Sequence, residues 1–296
     1  MQPPSVDRVN DAMGVTLQDR GETGLTYAQE LGPRFLDHRG VMPLGAVGVL
    51  LETAVAGAVL HALPPGGHSV ASSLSVSAAS TLPLDGKVSV TGRMLNFDSD
   101  AGVGLGSGEL LDADGNVCAT AVARGIVVTR PVDSSAVGEA LTQVPPSGAR
   151  LEPEPDGRYG LDVVRAIAFG DVARGPLADL LQVELRVVDT GLVTGALAPQ
   201  LWMSNELGSV QGGVLFAAAD LLSGLAAQTV TEPGQRYRML DLRTDFVRSP
   251  SLTGPEIHIE SEVVRVGRRI ELVETRLTGS SNGKLMARSF ATVHRM

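Results

Sequence analysis

The sequence predicts an α+β protein built from two similar units, each with one buried helix among consecutive antiparallel strands. Three observations lead to this expectation. The chain repeats itself at a constant offset, each half contains one helical segment that is apolar nearly all round, and alternating strand-like segments surround it. A length of 296 residues suits two units of roughly 100–150 residues each.

A proline-rich stretch divides the two units. Residues 131–160 contain five prolines together with Ser, Gly and charged residues, and they have no sustained hydrophobic period. Such composition is typical of a linker. The sequence therefore predicts an N-terminal unit over residues 1–130, a linker over 131–160 and a C-terminal unit over 161–296.

The repeat has an offset of 168 residues. Several glycines and one acidic residue recur at this offset, although overall identity between the halves is low. A duplication explains so many matches at one offset better than chance does. The matched pairs are Gly40 with Gly208, Gly45 with Gly213, Glu52 with Asp220, Gly86 with Gly254, and Ala119 with Ala287.

Each unit has the same predicted order of elements. Two short strands come first, then a glycine-marked loop, then an apolar helix of about four turns near residues 45–62 or 213–229. Longer strands with alternating apolar and polar residues follow. In the second half the predicted strands are 181–191, 192–199, 238–248, 256–267, 268–279 and 284–295.

Composition excludes several classes of protein. The net charge is −9 and the basic residues form no run, so a nucleic-acid-binding surface is not expected. The one cysteine, Cys118, allows no internal disulfide. We find no signal peptide, and the apolar stretches are shorter than a membrane span of about 20 residues. We therefore expect a soluble cytoplasmic protein.

An acidic residue interrupts each apolar helix at the same matched position. A buried carboxylate without a partner costs several kcal/mol or shifts its pKa. Glu52 and Asp220 could each cap a backbone amide or pair with an Arg. Because the acid recurs in both halves, we favour a functional role over these structural ones.

The loop before the second helix ends in a pair of glycines. Backbone N–H groups at Gly212 and Gly213 would be unsatisfied at a helix N-terminus, where they could hold a developing oxyanion. Asn205 and Gln211 add neutral polar groups nearby. The glycines alone would fit a tight turn equally well, so context must decide.

These residues together resemble a known family. The pattern Asn-x-x-Gly-x-x-Gln-Gly-Gly, with an acid eight residues after the first glycine of the pair, is similar to that of hotdog-fold acyl-CoA thioesterases of the phenylacetate-pathway type. The resemblance covers nearly the whole chain outside the linker and the N-terminus, and it implies two fused hotdog units. The matching residues are Asn205, Gly208, Gln211, Gly212, Gly213 and Asp220.

The resemblance implies a site that lies between the two units. Asn205 and Gly212 would face Glu52, while the loop at Asp37 would face Asp220. Helical spacing agrees, since eight residues at about 1.5 Å each separate Asp220 from Gly212 by roughly 12 Å. The implied substrate is an acyl-CoA thioester, with no metal or other cofactor, and the implied assembly is a dimer of the fused chain.

The implied chemistry is thioester hydrolysis. Gly212 and Asn205 would polarise the carbonyl, and Glu52, or Asp220 in the other site, would act either as a general base or as a nucleophile. Gln211 and Asp37 are candidates for substrate binding. Arg248 and Arg268 are candidates for the CoA phosphates.

The first half departs from the family pattern. Pro43 and Leu44 stand where the second half has Gln211 and Gly212. Pro43 lacks an N–H group, Leu44 crowds the backbone, and an anionic Asp37 would repel an oxyanion. We therefore expect the better-equipped site to combine the second-half loop with Glu52.

Two other functions remain open on the sequence. A hotdog-fold hydratase would carry Asp-x-Asn-x-x-His, and residues 36–45 lack that spacing. A protein that binds acyl-CoA without hydrolysing it is the stronger alternative, because one loop is degenerate. The glycine-rich segment "GVGLGSG" (102–108) has no strand-to-helix context, so a nucleotide cradle is not expected there.

Overall fold

The computed structural model describes residues 8–21, 24–63, 67–129 and 157–296. Most of the predicted linker, residues 131–156, lies outside these ranges, so the predicted unit boundaries stay predictions.

Each described unit contains one long helical run and six strands. The first unit begins with helix α1, and its long helical run α2 (Leu44–His61) follows the first two strands. The second unit begins with helices α3 and α4, and its long helix α5 occupies the corresponding place. The elements of the first unit are α1 (Arg8–Met13), β1 (Val15–Gly21), β2 (Gly24–Leu31), α2, β3 (His68–Ala78), β4 (Gly86–Asp98), β5 (Val103–Leu111) and β6 (Val117–Val128). Those of the second are α3 (Gly160–Phe169), α4 (Pro176–Leu181), β7 (Val183–Asp189), β8 (Leu192–Leu197), α5 (Gly212–Gln228), β9 (Tyr237–Phe246), β10 (Ile257–Val266), β11 (Ile270–Gly279) and β12 (Leu285–Arg295).

The strands form one antiparallel sheet of twelve, in the order β1-β2-β4-β5-β6-β3-β9-β12-β11-β10-β8-β7. The two halves of this order are related by a pseudo-twofold axis. The units join where β3 pairs with β9, with Ser75 opposite Arg243. These two residues are themselves 168 positions apart, so the axis passes through this pair.

The offset of 168 also holds for elements that the sequence did not reveal. Helices α1 and α4 match each other end to end at this offset. Both are only six residues long, too short to produce a clear hydrophobic period. Helix α3 lies outside the repeat and packs against β7 and α5.

The two long helices meet through glycines near their N-terminal ends. A Cβ atom on Gly213 would lie 2.6 Å from the carbonyl oxygen of Gly48, and one on Gly48 would lie 2.7 Å from the carbonyl oxygen of Gly213. Only glycine allows this approach. It brings the first turn of each helix next to the acidic residue of the other.

Helix α2 is not the regular helix of four turns that the sequence predicts. It starts as a 3₁₀ turn at Leu44–Val47 and contains a π-helical segment at Glu52–Ala56. Helix α5, in contrast, is regular over its 17 residues. Short π-helical segments occur frequently at functional sites, and this one begins at the candidate acid.

Glycines on neighbouring strands accommodate the π-helical segment. A Cβ atom on Gly92 of β4 would lie 1.8 Å from the carbonyl oxygen of Ala54, and one on Gly106 of β5 would lie 2.1 Å from that of Val55. The positions 168 residues further on are glutamates, and the helix there is regular. The glycine-rich segment 102–108 therefore lets the sheet approach the bulged backbone.

Helix α2 alone among the described helices is long and apolar enough to cross a membrane by length and composition. Of its residues, 72% are buried inside the protein. Helix α2 is therefore the buried core helix of its unit.

Candidate functional site

Two matched contacts cross between the units. The Gly213 N–H donates to Oε2 of Glu52 at 2.7 Å, and the Gly45 N–H donates to Oδ2 of Asp220 at 2.8 Å. The helix N-terminus of each unit thus faces the acid of the other, as the sequence predicts. We call these places the Glu52 site and the Asp220 site.

The loop that precedes each helix has the same hydrogen bonds. Oδ1 of Asn205 accepts the N–H groups of Leu207 and Ser209 at 3.0 and 3.1 Å. Oδ1 of Asp37 accepts those of Arg39 and Val41 at 2.8 and 3.1 Å. The oxygen of Asn205 therefore shapes its loop, and its amide nitrogen is the group that could donate to a ligand.

The structure does not agree with the expectation that the Asp37 carboxylate would repel an oxyanion, because Arg39 pairs with it. The guanidinium of Arg39 donates to Oδ2 of Asp37 through Nε at 2.9 Å and Nη2 at 2.5 Å. Burial raises the pKa of Asp37, but the charge and hydrogen bonds of Arg39 outweigh it and the net pKa is lowered. The pair is neutral overall, because the adjacent arginine cancels the charge of the carboxylate.

Arg39 is itself fixed by Tyr237. Its guanidinium lies 3.5 Å from the centre of the Tyr237 ring, and its Nη1 donates to the Tyr237 carbonyl at 2.8 Å. Ring stacking and three hydrogen-bonded nitrogens hold the ion pair against the wall of the Asp220 site.

Both candidate acids have perturbed pKa values. Burial raises the pKa of Glu52 to about 7, although hydrogen bonds from the amides of Gly213 and Gly212 oppose the rise. Burial likewise raises the pKa of Asp220 to about 7, against the bond from Gly45. Each acid therefore exchanges a proton near neutral pH, which suits a general base.

One polar network at the Glu52 site has no counterpart at the matched positions of the Asp220 site. Nε2 of Gln211 donates to Oγ1 of Thr53 at 3.1 Å, and this hydroxyl donates to Oδ1 of Asn10 at 2.8 Å. At the matched positions the other unit has three apolar residues, which make no such bonds. They are Pro43, Leu221 and Ala178.

The sequence did not identify Thr53 or Asn10 as site residues. Thr53 is next to Glu52, but Asn10 lies in α1 and reaches the site from another part of the chain. The sequence would have indicated Asn10 only if the repeat had been extended to α1 and α4.

A cavity opens at each acid. The one at Glu52 has a volume of about 400 Å³ and is lined by Asn205, Gln211, Gly212, Phe246 and Arg248, among others. The one at Asp220 has a volume of about 550 Å³ and includes Asp37, Arg39 and Leu44 in its wall. The structure therefore brings the predicted residues to two separate cavities, as the implied pairing requires.

The two predicted CoA-binding arginines are placed differently. Arg248 lines the Glu52 cavity, and its Nη1 donates to the carbonyl of Leu285 at 2.8 Å. Arg268 is exposed in the turn between β10 and β11, outside the described lining of both cavities. Arg268 is therefore poorly placed to contact a ligand in either cavity of this chain.

Among the described residues, no three His, Cys, Asp or Glu side chains form a group that could hold a metal ion. The expectation of a reaction without a metal or other cofactor stays a prediction.

Comparison with known proteins agrees with the resemblance. Residues 207–284 match the family model of the thioesterase superfamily. Acyl-coenzyme A thioesterase 13 of Mus musculus is 30% identical over 91 residues, which are 31% of this chain and 64% of that protein. This chain thus matches less than two thirds of the length of that relative.

Solved structures show the same fold along the whole chain. A conserved hotdog-fold protein of unknown function from Alicyclobacillus acidocaldarius matches with a TM-score of 0.62 at 13% identity, covering 98% of each chain. The acyl-CoA thioesterase II TesB2 from Mycobacterium marinum matches with a TM-score of 0.58 at 13% identity, covering 97% of this chain and 98% of that one. At such identity the likeness concerns the fold alone, and it confirms the predicted double hotdog.

Proposed function

Since this chain is a double hotdog protein whose residues 207–284 match the thioesterase superfamily model, we propose that it hydrolyses acyl-CoA thioesters at the Glu52 site. The observation that carries the proposal is the contact between Glu52 and the N-terminus of α5. Its Oε2 lies 2.7 Å from the Gly213 nitrogen, beside a cavity of about 400 Å³.

The N-terminus of α5 supplies the electrostatic part of the mechanism. The thioester carbonyl oxygen accepts the Gly212 N–H, where the helix dipole favours the negative charge that develops on this oxygen. A side chain at Gly212 would meet Oε1 of Glu52 at 2.8 Å and the Phe246 ring at 2.9 Å. Glycine therefore keeps open the space that the carbonyl must enter.

Glu52 supplies the proton transfer. Its carboxylate takes a proton from water while the water oxygen attacks the carbonyl carbon, and the C–S bond then breaks. The proton passes from Glu52 to the departing sulfur, so free acid and CoA thiol are formed. A pKa of about 7 makes both transfers favourable near neutral pH. Direct attack by Glu52, giving a mixed anhydride, uses the same residues.

The remaining predicted residues support these two groups. Asn205 lines the same cavity and its amide nitrogen can add a neutral donor, and Gln211 connects the α5 N-terminus to Thr53 beside Glu52. Arg248 lies in the wall of this cavity, and we assign it to the CoA phosphates. At the Asp220 site Leu44 replaces Gly212, and the network of Gln211, Thr53 and Asn10 has no counterpart, so we place no turnover there.

Release of free thiol from a panel of acyl-CoA esters, from acetyl to dodecanoyl and one aryl-acyl ester, tests the proposal. Wild-type protein should release thiol with at least one ester, and Glu52→Ala should abolish the release because it removes the base. Tight binding of these esters without release by the wild type would contradict hydrolysis and support the binding-only alternative.

A dimer of the double hotdog chain and a cytoplasmic location are also part of the proposal. Light scattering of the purified protein should give a mass near twice 30.7 kDa. A mass of one chain at micromolar concentration would contradict the dimer.

A further inference from the structure

We propose that the Asp220 cavity is a second ligand site, which binds an acyl-CoA thioester and does not hydrolyse it. The class of ligand rests on the proposed function, whereas the existence of the site rests on its own geometry.

The Asp220 cavity retains an acid and the shape of a binding site, but it lacks the open approach to the helix N-terminus and the polar network of the Glu52 site. Leu44 occupies the position of Gly212, so its side chain stands where the thioester oxygen would approach the backbone. Leu221 and Ala178 replace the hydrogen-bonding side chains of Thr53 and Asn10. The cavity is nevertheless the larger of the two described, about 550 Å³ against about 400 Å³, and such volumes are typical of small-molecule sites.

Asp220 lines this cavity, and one of its buried carboxylate oxygens has no hydrogen-bond partner among the described residues. Asp220 is 3% exposed, and its Oδ2 accepts the Gly45 N–H. Its Oδ1 has no hydrogen-bond partner among the residues that the structure describes. An unsatisfied buried polar group is unfavourable, so a ligand that bonds to it gains affinity. A protonated Oδ1 can donate to a thioester carbonyl.

The rest of the lining fits a molecule with an apolar inner end and an anionic outer end. Apolar side chains from α3, α5 and the loops face the cavity, while arginines surround it. Five arginines line this cavity and two line the Glu52 cavity, in a chain whose net charge is −9. Arg39 is engaged with Asp37 as described above, and Arg158, which donates to the Asp162 carbonyl, and Arg236 are exposed in the lining of this cavity. The arginines are Arg39, Arg158, Arg174, Arg236 and Arg238.

Calorimetric binding of a 2-oxoalkyl-CoA tests the proposal. This probe keeps the carbonyl, but a methylene separates it from sulfur, so it cannot be hydrolysed. Gly212→Val fills the Glu52 site, and Leu225→Trp fills the Asp220 cavity from α5. We expect two equivalents per chain for the wild type and one for each variant.

The outcomes separate this proposal from the proposed function. A single equivalent that Gly212→Val removes and Leu225→Trp leaves intact overturns the second site and leaves the proposed function standing. A single equivalent that only Leu225→Trp removes moves the substrate to Asp220 and overturns the proposed function. Thiol release by Gly212→Val from an acyl-CoA ester would show turnover at Asp220, which contradicts binding without hydrolysis.

A charge reversal tests the site without altering the buried wall. In the Gly212→Val background, Arg158→Glu/Arg236→Glu should weaken probe binding about tenfold or more at low salt, and the effect should shrink as salt is raised. An affinity that these substitutions leave unchanged would overturn the site. This test does not use Leu225→Trp, so it still decides the question if that variant fails to fold.

Discussion

Replacing Glu52 with Gln should make the protein more stable at alkaline pH while removing its activity. Folding raises the pKa of this carboxyl from 4.5 to about 7, because burial disfavours the charge. The folded state therefore holds the proton more tightly than the unfolded state, so the contribution to stability is complete below pH 4.5 and is lost as pH rises through 7. Gln accepts the Gly213 N–H as Glu does, but it does not ionise.

The magnitude follows from the same shift. A rise from 4.5 to about 7 corresponds to about 3 kcal/mol for a fully desolvated group, and Glu52 is partly exposed. We expect Glu52→Gln to increase the free energy of unfolding by about 1–3 kcal/mol at pH 8 and to leave it nearly unchanged at pH 4.5. Urea denaturation of both proteins at the two pH values measures this difference. A variant that is less stable at pH 8, or equally altered at both pH values, would refute the reasoning.

Further predictions concern the pH profile and three residues. The wild-type kcat/KM should rise with pH through about 7, since the base acts when ionised; a profile flat from pH 5 to 9 would count against Glu52. Gly106→Ala should lower kcat by about tenfold or more by displacing the π-helical segment, whereas Gly32→Ala, whose Cβ has nothing within 4 Å, should not. Gln211→Leu should lower kcat several-fold with little change in KM, because it breaks the bond to Thr53; an unchanged kcat would show that this bond is dispensable.

Much of the fold follows from the repeat in the sequence. The predicted strands of the second half agree with β7–β12 to within about two residues at each end, and the apolar segment 213–229 agrees with α5. The alternation of apolar and polar residues and the all-round apolar helix are local patterns, so a single sequence is enough to reveal them. The matched acids also follow from the repeat, because a shared offset of 168 fixes both positions at once.

The rest depends on contacts between distant residues. The π-helical segment forms where Gly92 and Gly106 let two strands approach α2, and no local pattern marks it. The bond from Thr53 to Asn10 likewise spans 43 residues of sequence. The neutralisation of the Asp37 charge also depends on a contact, since Arg39 lies two residues away and the loop turns its guanidinium back onto the carboxylate.

Comparison of kcat for two single variants tests the central claim most directly, namely that the Glu52 site performs the reaction and the Asp220 site does not. At pH 8, with the best acyl-CoA substrate of the panel, Glu52→Gln should reduce kcat about 100-fold or more, as expected for loss of a general base. Asp220→Asn should reduce it less than about tenfold. A larger loss in Asp220→Asn than in Glu52→Gln, or equal losses in both, would contradict the account.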